Sequence, residues 1–251
     1  MDFDLGGRIV LVTGGVRGVG AGISEVFARQ GATVVTCARR PVDGLPYEFH
    51  SCDVRDPEAV AGLVETIAGR HGRLDVVVNN AGGSPSVPVA EASPRFLQRV
   101  VELNLLGMLY VSQAANAVMQ QQDTGGTIIS ISSVSGRRPS PGHAAYGAAK
   151  AGVDSLTATL AVEWAPKVRV NAVVAGMVVT EQVEQFYGDA ESQAAVASTV
   201  PLGRMAEPSD IGWAAAFLAS DAASYISGAV LPVHGGGEPP PYIDVSSVHG
   251  K

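Results

Sequence analysis

The chain has 251 residues, 46% of them apolar and only 16% charged, a balance that excludes disordered, collagenous and low-complexity proteins. Acids outnumber bases 24 to 17, for a net charge of −7, and no Lys/Arg run could follow a phosphate backbone, so nucleic acid is not an expected partner. Cys37 and Cys52 are too few for a disulfide scaffold and lack the spacing of a zinc site, and no apolar run reaches the roughly 18 residues of a membrane helix. The N-terminus carries acids where a secretory signal carries bases. These features predict reduced core thiols, no metal, no membrane partner and a cytoplasmic setting.

From residue 8 to residue 233, short β-branched runs alternate with longer segments of helical period, the pattern of a parallel α/β sheet with helices on both faces. The first strand, Arg8–Thr13, runs into Thr13-Gly14-Gly15-Val16-Arg17-Gly18-Val19-Gly20 and then a helix over 18–30. A strand, a glycine turn and a helix start let the main chain approach a pyrophosphate, with the positive end of the new helix facing the anion. Gly14, Val16, Arg17, Gly18 and Val19 are therefore candidate cofactor contacts. The spacing is T-G-x-x-x-G-x-G rather than G-x-G-x-x-G, so the signal lies in its position after the first strand. The second strand, Thr33–Cys37, is followed by Arg39, where a dinucleotide-binding fold judges the adenosine ribose; an acid there would favour NAD(H). Arg39, with Arg17, can instead grip a 2′-phosphate, which predicts NADP(H), with NAD(H) as the alternative.

A third strand over Tyr47–Cys52, a helix over 56–70 and a fourth strand over Leu74–Asn79 come next. The helix expected over 93–120 carries no charge between Leu103 and Gln122 and is too long to hide under one sheet face, so a second subunit is the expected cover; burial by the 180–200 insertion is the plainer alternative. This predicts a homo-oligomer, a dimer or a tetramer. The fifth strand, Thr127–Ser132, leads to Ser133 at a carboxyl strand end, where ligands of parallel sheets sit.

Tyr146-Gly147-Ala148-Ala149-Lys150 opens a helix over 146–165, and a spacing of four sets both side chains on one face. An ammonium one turn away would favour phenolate, making Tyr146 the proton donor or acceptor while Ser133 holds the substrate oxygen. The plain alternative is an exposed polar pair. A sixth strand over Val168–Val174, the insertion at 180–200, which looks mobile, a helix over 208–219 and a seventh strand over Ala229–Val233 complete one domain spanning 1–237. Residues 238–251 read as an extended tail.

The glycine turn, Asn79-Asn80-Ala81-Gly82, Asn104, Ser133 and Tyr146 with Lys150 resemble the short-chain dehydrogenase/reductase family, over about 8 to 237. That resemblance implies a single-domain Rossmann fold and an enzyme that transfers hydride between nicotinamide and a carbonyl or alcohol substrate. It also implies that Asn104 joins a water relay with Lys150, although a polar residue inside a helix can simply bond back to its main chain. By the same resemblance Asp53 and Val54 contact the adenine, Asn80, Ala81 and Gly82 line the cofactor groove, and Gly176, Val178 and Thr180 border the nicotinamide and its phosphates. Two positions depart from the family: Val174-Ala175-Gly176-Met177 lacks the usual Pro-Gly, and His234 replaces an acid before three glycines. His234-Gly235-Gly236-Gly237 also matches an esterase oxyanion loop, but no G-x-S-x-G elbow accompanies it.

The pocket is expected from Gly83–Val89, Gly136–Ala145 and 177–200, with Met177, Phe186 and Tyr187 favouring an apolar ketone or secondary alcohol: an oxoacyl or hydroxyacyl thioester, or a cyclic ketone. A polyol or sugar handled with NAD is the alternative, as is a dinucleotide sensor without turnover, which has no need of all four residues Asn104, Ser133, Tyr146 and Lys150. Arg137 and Arg138 read as an exposed basic pair, with an anionic carrier as the other possibility.

Overall fold

The computed structural model describes residues 3–240; residues 241–251, most of the expected tail, lie outside the described residues. Seven parallel strands form one sheet: β1 (Ile9–Thr13), β2 (Thr33–Ala38), β3 (Glu48–Ser51), β4 (Val76–Asn79), β5 (Gly126–Ser133), β6 (Val168–Ala175) and β7 (Val230–Val233). Their order is β3-β2-β1-β4-β5-β6-β7, the doubly wound Rossmann arrangement. The chain builds outward from β1 to β3, then crosses back to β4, so the loops leaving β1 and β4 diverge and open a crevice above their carboxyl ends.

The strands read as unbroken apolar runs because both sheet faces are covered. In β1, Ile9 and Leu11 enter one core while Val10 and Val12 enter another. The first core is closed by α2 (Pro57–His71), α4 (Gly107–Met119) and α5 (Ala144–Glu163), the second by α1 (Gly18–Arg29) and α8 (Pro208–Ala219). Helices α1 and α8 pack backbone to backbone: a Cβ on Gly22 would lie 2.4 Å from the Pro208 Cβ, and one on Gly212 2.9 Å from the Gly22 carbonyl oxygen. At the opposite ends of the strands the buried Asp75 carboxylate accepts from the Ile9 N–H at 2.8 Å and from the Arg73 guanidinium, which ties β1 to β4.

The edge strand β3 is tied to α2 by Glu48. Its carboxylate meets His50 at 2.7 Å and His71 at 2.9 Å. Burial pushes the Glu48 carboxyl up, but these hydrogen bonds and the nearby Arg70 outweigh it and hold the group below the usual carboxylate range.

One expectation is corrected. Residues 93–120 are not one α-helix but α3 (Pro94–Val101), a wide π turn (Glu102–Leu106) and α4 in unbroken succession. Gly107 donates to the Glu102 carbonyl five residues back, and it lies so close to β3's exit that a Cβ there would sit 3.0 Å from Val54 Cγ2. The 180–200 segment, in turn, contains two short helices, α6 (Val183–Tyr187) and α7 (Ala190–Ser198), which pack on each other. Helix α4 is backed by α2, yet Leu105, Leu106, Leu109 and Tyr110 stay half-buried. No described helix is long and apolar enough to cross a membrane.

Both cysteines are free and buried. Burial pushes the Cys37 thiol up to about 12 and raises Cys52 as well, with the charges of Asp53 and Asp56 adding to the latter. The thiolate is the reactive form, so neither residue is expected to react with an aromatic disulfide reagent in native buffer, and both should react in guanidinium. Thiol counting in the two solvents checks this; rapid native reaction of Cys37 would show that its strand opens.

Candidate active site

The crevice begins at the glycine turn, where the main chain is packed too tightly for side chains. A Cβ on Gly20 would stand 2.2 Å from the Gly14 carbonyl oxygen and 2.4 Å from the Asn80 amide, and one on Gly15 2.6 Å from Ser24 Oγ. Gly14 and Gly18 also hold φ of +65° and +53°, a region that favours glycine. Thr13 Oγ1 accepts from the N–H groups of Asn80 and Ala81, each at 3.0 Å, and Asn80 Nδ2 donates to the carbonyls of Thr13 and Gly14 at 3.0 and 3.2 Å. The Gly14 N–H reaches the Cys37 carbonyl at 2.8 Å, so the residues after β2 leave beside the turn.

Of the expected cofactor contacts, Gly14, Gly18, Asn80 and Ala81 thus come together. Gly82 adjoins Asn104 and Lys150: a Cβ there would be 2.7 Å from Asn104 Oδ1 and 3.5 Å from Lys150 Nζ. Arg17 caps α1 in an extended conformation, exposed like Arg39, while Val16 is half-buried and Val19 packs into the second core. The Asp53 carboxylate is held by Arg55, with Nε at 3.0 Å, which keeps it below the usual carboxylate range despite partial burial; the Val54 side chain is buried against Gly107. Val178 bridges to Ala206, and the Thr180 methyl lies 3.5 Å from where a Gly18 Cβ would be. That segment therefore reaches the glycine turn. At Gly176 a Cβ would be 2.8 Å from the His234 Cβ, so the residue after Ala175 packs against His234. His234 Nδ1 is buried without a hydrogen-bond partner among the described residues.

Ser133 ends β5, Tyr146 lies in the first turn of α5, and Lys150 follows one turn later. Glycines press α5 onto the turn after β5: a Cβ on Gly147 would be 2.5 Å from the Ser135 carbonyl oxygen, and one on Gly136 2.7 Å from the Ala151 nitrogen. Lys150 is 5% exposed; its Nζ donates to the Ile131 carbonyl at 2.7 Å and stands 5.6 Å from the Tyr146 ring centroid. Burial pushes this amine down to about 8, against the opposing charge of Asp154.

Burial likewise raises the Tyr146 phenol above its ordinary value, with Tyr187 adding to the effect and a hydrogen bond to Ser133 opposing it. These are the effects of the chain's own groups; the lowered phenol is expected with an oxidised, positively charged nicotinamide bound beside the ring. The site is dry, which disfavours both charged forms, and the ammonium is spent on a carbonyl beside the ring. Asn104 is fully buried. Its Oδ1 accepts from the Gly83 N–H at 2.8 Å, and its Nδ2 donates to the carbonyls of Gly83 and Val100 at 3.0 and 2.9 Å. The side chain thus bonds to the main chain, and it flanks the same spot as Lys150.

Around this core, Val87 donates to the Gly142 carbonyl at 2.9 Å, joining two of the expected pocket loops, and the His143 ring meets Tyr146 edge-on with centroids 6.3 Å apart. The expected basic pair is divided between acids: Arg137 pairs with Asp154 at 2.9 Å and Arg138 with Glu238 at 2.6 Å. The sequence reading missed Thr13, Arg55, Asp154 and Glu181. A hydroxyl at the end of the first strand was a signal for Thr13. None pointed to Glu181, whose carboxylate oxygens both accept from the Gly18 N–H, at 3.1 and 3.0 Å.

A family model described as enoyl-(acyl carrier protein) reductase matches residues 14–238. The 3-oxoacyl-(acyl-carrier-protein) reductase of Thermotoga maritima is 34% identical over 92% of this chain and 98% of its own length. The 3β-hydroxysteroid dehydrogenase 1 of Eggerthella lenta is 36% identical, covering 93% and 94%. Among solved structures, the ligand-free aldohexose dehydrogenase of Thermoplasma acidophilum superposes with a TM-score of 0.89 at 31% identity, covering 94% of this chain and 96% of that one.

The buried Lys150 makes stability depend on pH. Its amine titrates near 8 in the folded protein and near 10.5 when unfolded, so the unfolded chain binds more protons between those values and stability rises with pH across that window. Below it the penalty is complete, roughly 3 kcal/mol from the separation of the two values. Lys150→Met, which loses the Ile131 hydrogen bond of about 1 kcal/mol, is expected to unfold at higher denaturant than the wild type at pH 7, with the advantage vanishing by about pH 10. Urea unfolding at several pH values checks this; a variant less stable than the wild type at pH 7 would show that the amine is not buried as described.

Proposed function

The chain belongs to the short-chain dehydrogenase/reductase family, and from that premise we propose that it interconverts a ketone and a secondary alcohol using NADP(H), with Tyr146 as proton donor and acceptor. As a member of that family it is an oxidoreductase that binds NAD(P) and acts on alcohol groups. The observation that carries the finer reading is the convergence of Ser133, Tyr146, Lys150 and Asn104 at the carboxyl end of β5, next to Gly82 and the glycine turn.

A dinucleotide fits the chain. The glycines stand where side chains would collide, and the N-terminal end of α1 already accepts an anion, the Glu181 carboxylate. Gly14, Val16, Gly18 and Val19 would border the phosphates, Asn80, Ala81 and Gly82 the groove floor, Asp53 and Val54 the adenine, and Gly176, Val178 and Thr180 the nicotinamide side. Arg17 and Arg39 are exposed, and the Arg39 charge helps hold the nearby Asp53 carboxyl below the usual carboxylate range. Arg39, rather than an acid, stands just after β2 at the position that would claim the ribose. Both features favour a 2′-phosphate and hence NADP(H) over NAD(H).

When bound, the nicotinamide supplies or accepts the hydride. The chain's own residues handle the proton. A phenol held above its ordinary value keeps its proton at neutral pH and can deliver it to the oxygen of a carbonyl that Ser133 holds by hydrogen bond. Lys150, dry and tied to Ile131, positions the ring, and Asn104 fixes the Gly82–Gly83 wall. In the reverse direction Tyr146 takes the hydroxyl proton. Tyr187, Met177 and the His143 ring favour an apolar, ring-bearing ketone or an oxoacyl thioester; relatives named for an oxoacyl carrier and a hydroxysteroid are in keeping with that, while the aldohexose enzyme keeps a sugar or polyol as the second reading. The half-buried Leu105, Leu109 and Tyr110, with Val162 on α5 at 80% exposed, favour a homo-oligomer over a monomer.

The test is nicotinamide absorbance with NADPH and NADH against oxoacyl thioesters, cyclic ketones and sugars. Tyr146→Phe is expected to lower kcat by about a thousandfold while changing NADPH affinity by less than about threefold, because the phenol acts on the substrate proton; near-normal turnover would remove Tyr146 from the mechanism. Arg39→Asp is expected to weaken NADPH by at least about tenfold and spare NADH. Equal losses for both nucleotides would mean that Arg39 does not read the phosphate.

A further inference from the structure

Glu181 occupies the place in the crevice that an anionic ligand of the glycine turn would need. Both of its carboxylate oxygens accept from the N–H of Gly18, the first residue of α1, at 3.1 and 3.0 Å. The contact extends beyond one hydrogen bond. Glu181 Oε2 lies 3.7 Å, and the Thr180 methyl 3.5 Å, from where a Gly18 Cβ would stand, so the chain leaving β6 crosses the crevice and leans on the turn. Glu181 is exposed and has no Lys or Arg partner among the described residues. The first N–H groups of a helix carry partial positive charge that suits carboxylate and phosphate alike. The two oxyanions therefore compete for one donor.

We infer that Glu181 is a tethered anion that sits in the phosphate seat of the nucleotide and is displaced when the nucleotide arrives. This rests on the reading of the glycine turn as a dinucleotide site. Displacement carries its neighbours with it, because Thr180 is locked to the residues that follow: its hydroxyl accepts from the Gln182 N–H at 3.3 Å and its carbonyl from the Val183 N–H at 2.9 Å. Val183 opens α6, and α6 ends at Tyr187, whose phenol acts electrostatically on that of Tyr146. Arrival of the nucleotide is thereby transmitted to the wall of the substrate site, so the pocket takes its working shape only after the nucleotide has bound. The tether also lowers apparent nucleotide affinity by the fraction of molecules in which the seat is open, and does so equally for NADPH and NADH, since the competition concerns the pyrophosphate and not the ribose.

Glu181→Gln keeps the side chain's shape without its charge, and Glu181→Ala removes it; both change an exposed residue. Both variants are expected to bind NADPH and NADH about two- to fivefold more tightly than the wild type, the range a carboxylate at a helix N-terminus accounts for. Binding is read from nucleotide fluorescence. Hydrogen exchange of residues 176–187 is expected to be faster in the variants than in the wild type without nucleotide, and equal at saturating NADPH. Unchanged or weakened binding of both nucleotides overturns the tether, and so does tighter binding with unchanged exchange, which would be simple charge repulsion. A wild-type protein that binds neither nucleotide overturns the reading of the turn itself, an outcome distinct from failure of the tether.

Discussion

The site depends on how closely two strand ends are drawn together. β1 and β4 stop at neighbouring positions in the sheet, and a single hydroxyl, Thr13 Oγ1, takes both main-chain N–H groups that follow β4. Asn80 answers by donating its amide to the carbonyls of Thr13 and Gly14. These bonds leave no room for a Cβ at Gly20, which would run into both the Gly14 carbonyl and the Asn80 amide. Glycine in this turn is thus required by main-chain packing before any ligand is considered, and the same packing brings the start of α1 to the mouth of the crevice. A parallel sheet favours such a place, because at its switch point neighbouring loops part and leave backbone groups unclaimed.

Dryness is the second constraint, and it governs Tyr146 and Lys150 more strongly than their spacing does. The Lys150 ammonium and the Tyr146 phenolate are both disfavoured by burial, so one group titrates low and the other high. A lysine that bonds a strand carbonyl beside an aromatic ring braces that ring as much as it lends charge. The protein tolerates the cost of a buried amine because β5 offers a carbonyl, Ile131, within 2.7 Å. Strain at a functional site, offset elsewhere in the fold, is common.

Much of this was legible in the sequence. Seven β-branched runs located the strands to within about two residues, and the glycine turn, Ser133 and the Tyr146–Lys150 pair announced themselves by residue type and by position after a strand. What stayed hidden depended on three-dimensional proximity. Nothing in a pattern of apolar residues separates a π turn from an α turn, so 93–120 read as one helix. The direction of a pKa shift in the chain by itself depends on burial, which spacing does not report. Helix α6 is five residues long, too short for a period to declare itself. Glu181 and Gly18 are 163 positions apart, and only the fold makes them neighbours.

The π turn at Glu102–Leu106 also sets the limits within which this protein can vary. Successive residues of an α-helix advance by about 100° around its axis, so the extra residue held in the wide turn offsets the angular phase of α4 from that of α3. On the α4 side that phase is pinned by Val111, Ala115 and Met119 in the core; on the other it is pinned by Asn104, clasped to Gly83. Loss of one codon here would swing one of the two out of place, since no rotation of a rigid rod could satisfy both. The bulge thus works as a phase adjuster, letting the interior and the Asn104 clasp each keep the rotational setting it needs along one continuous helix.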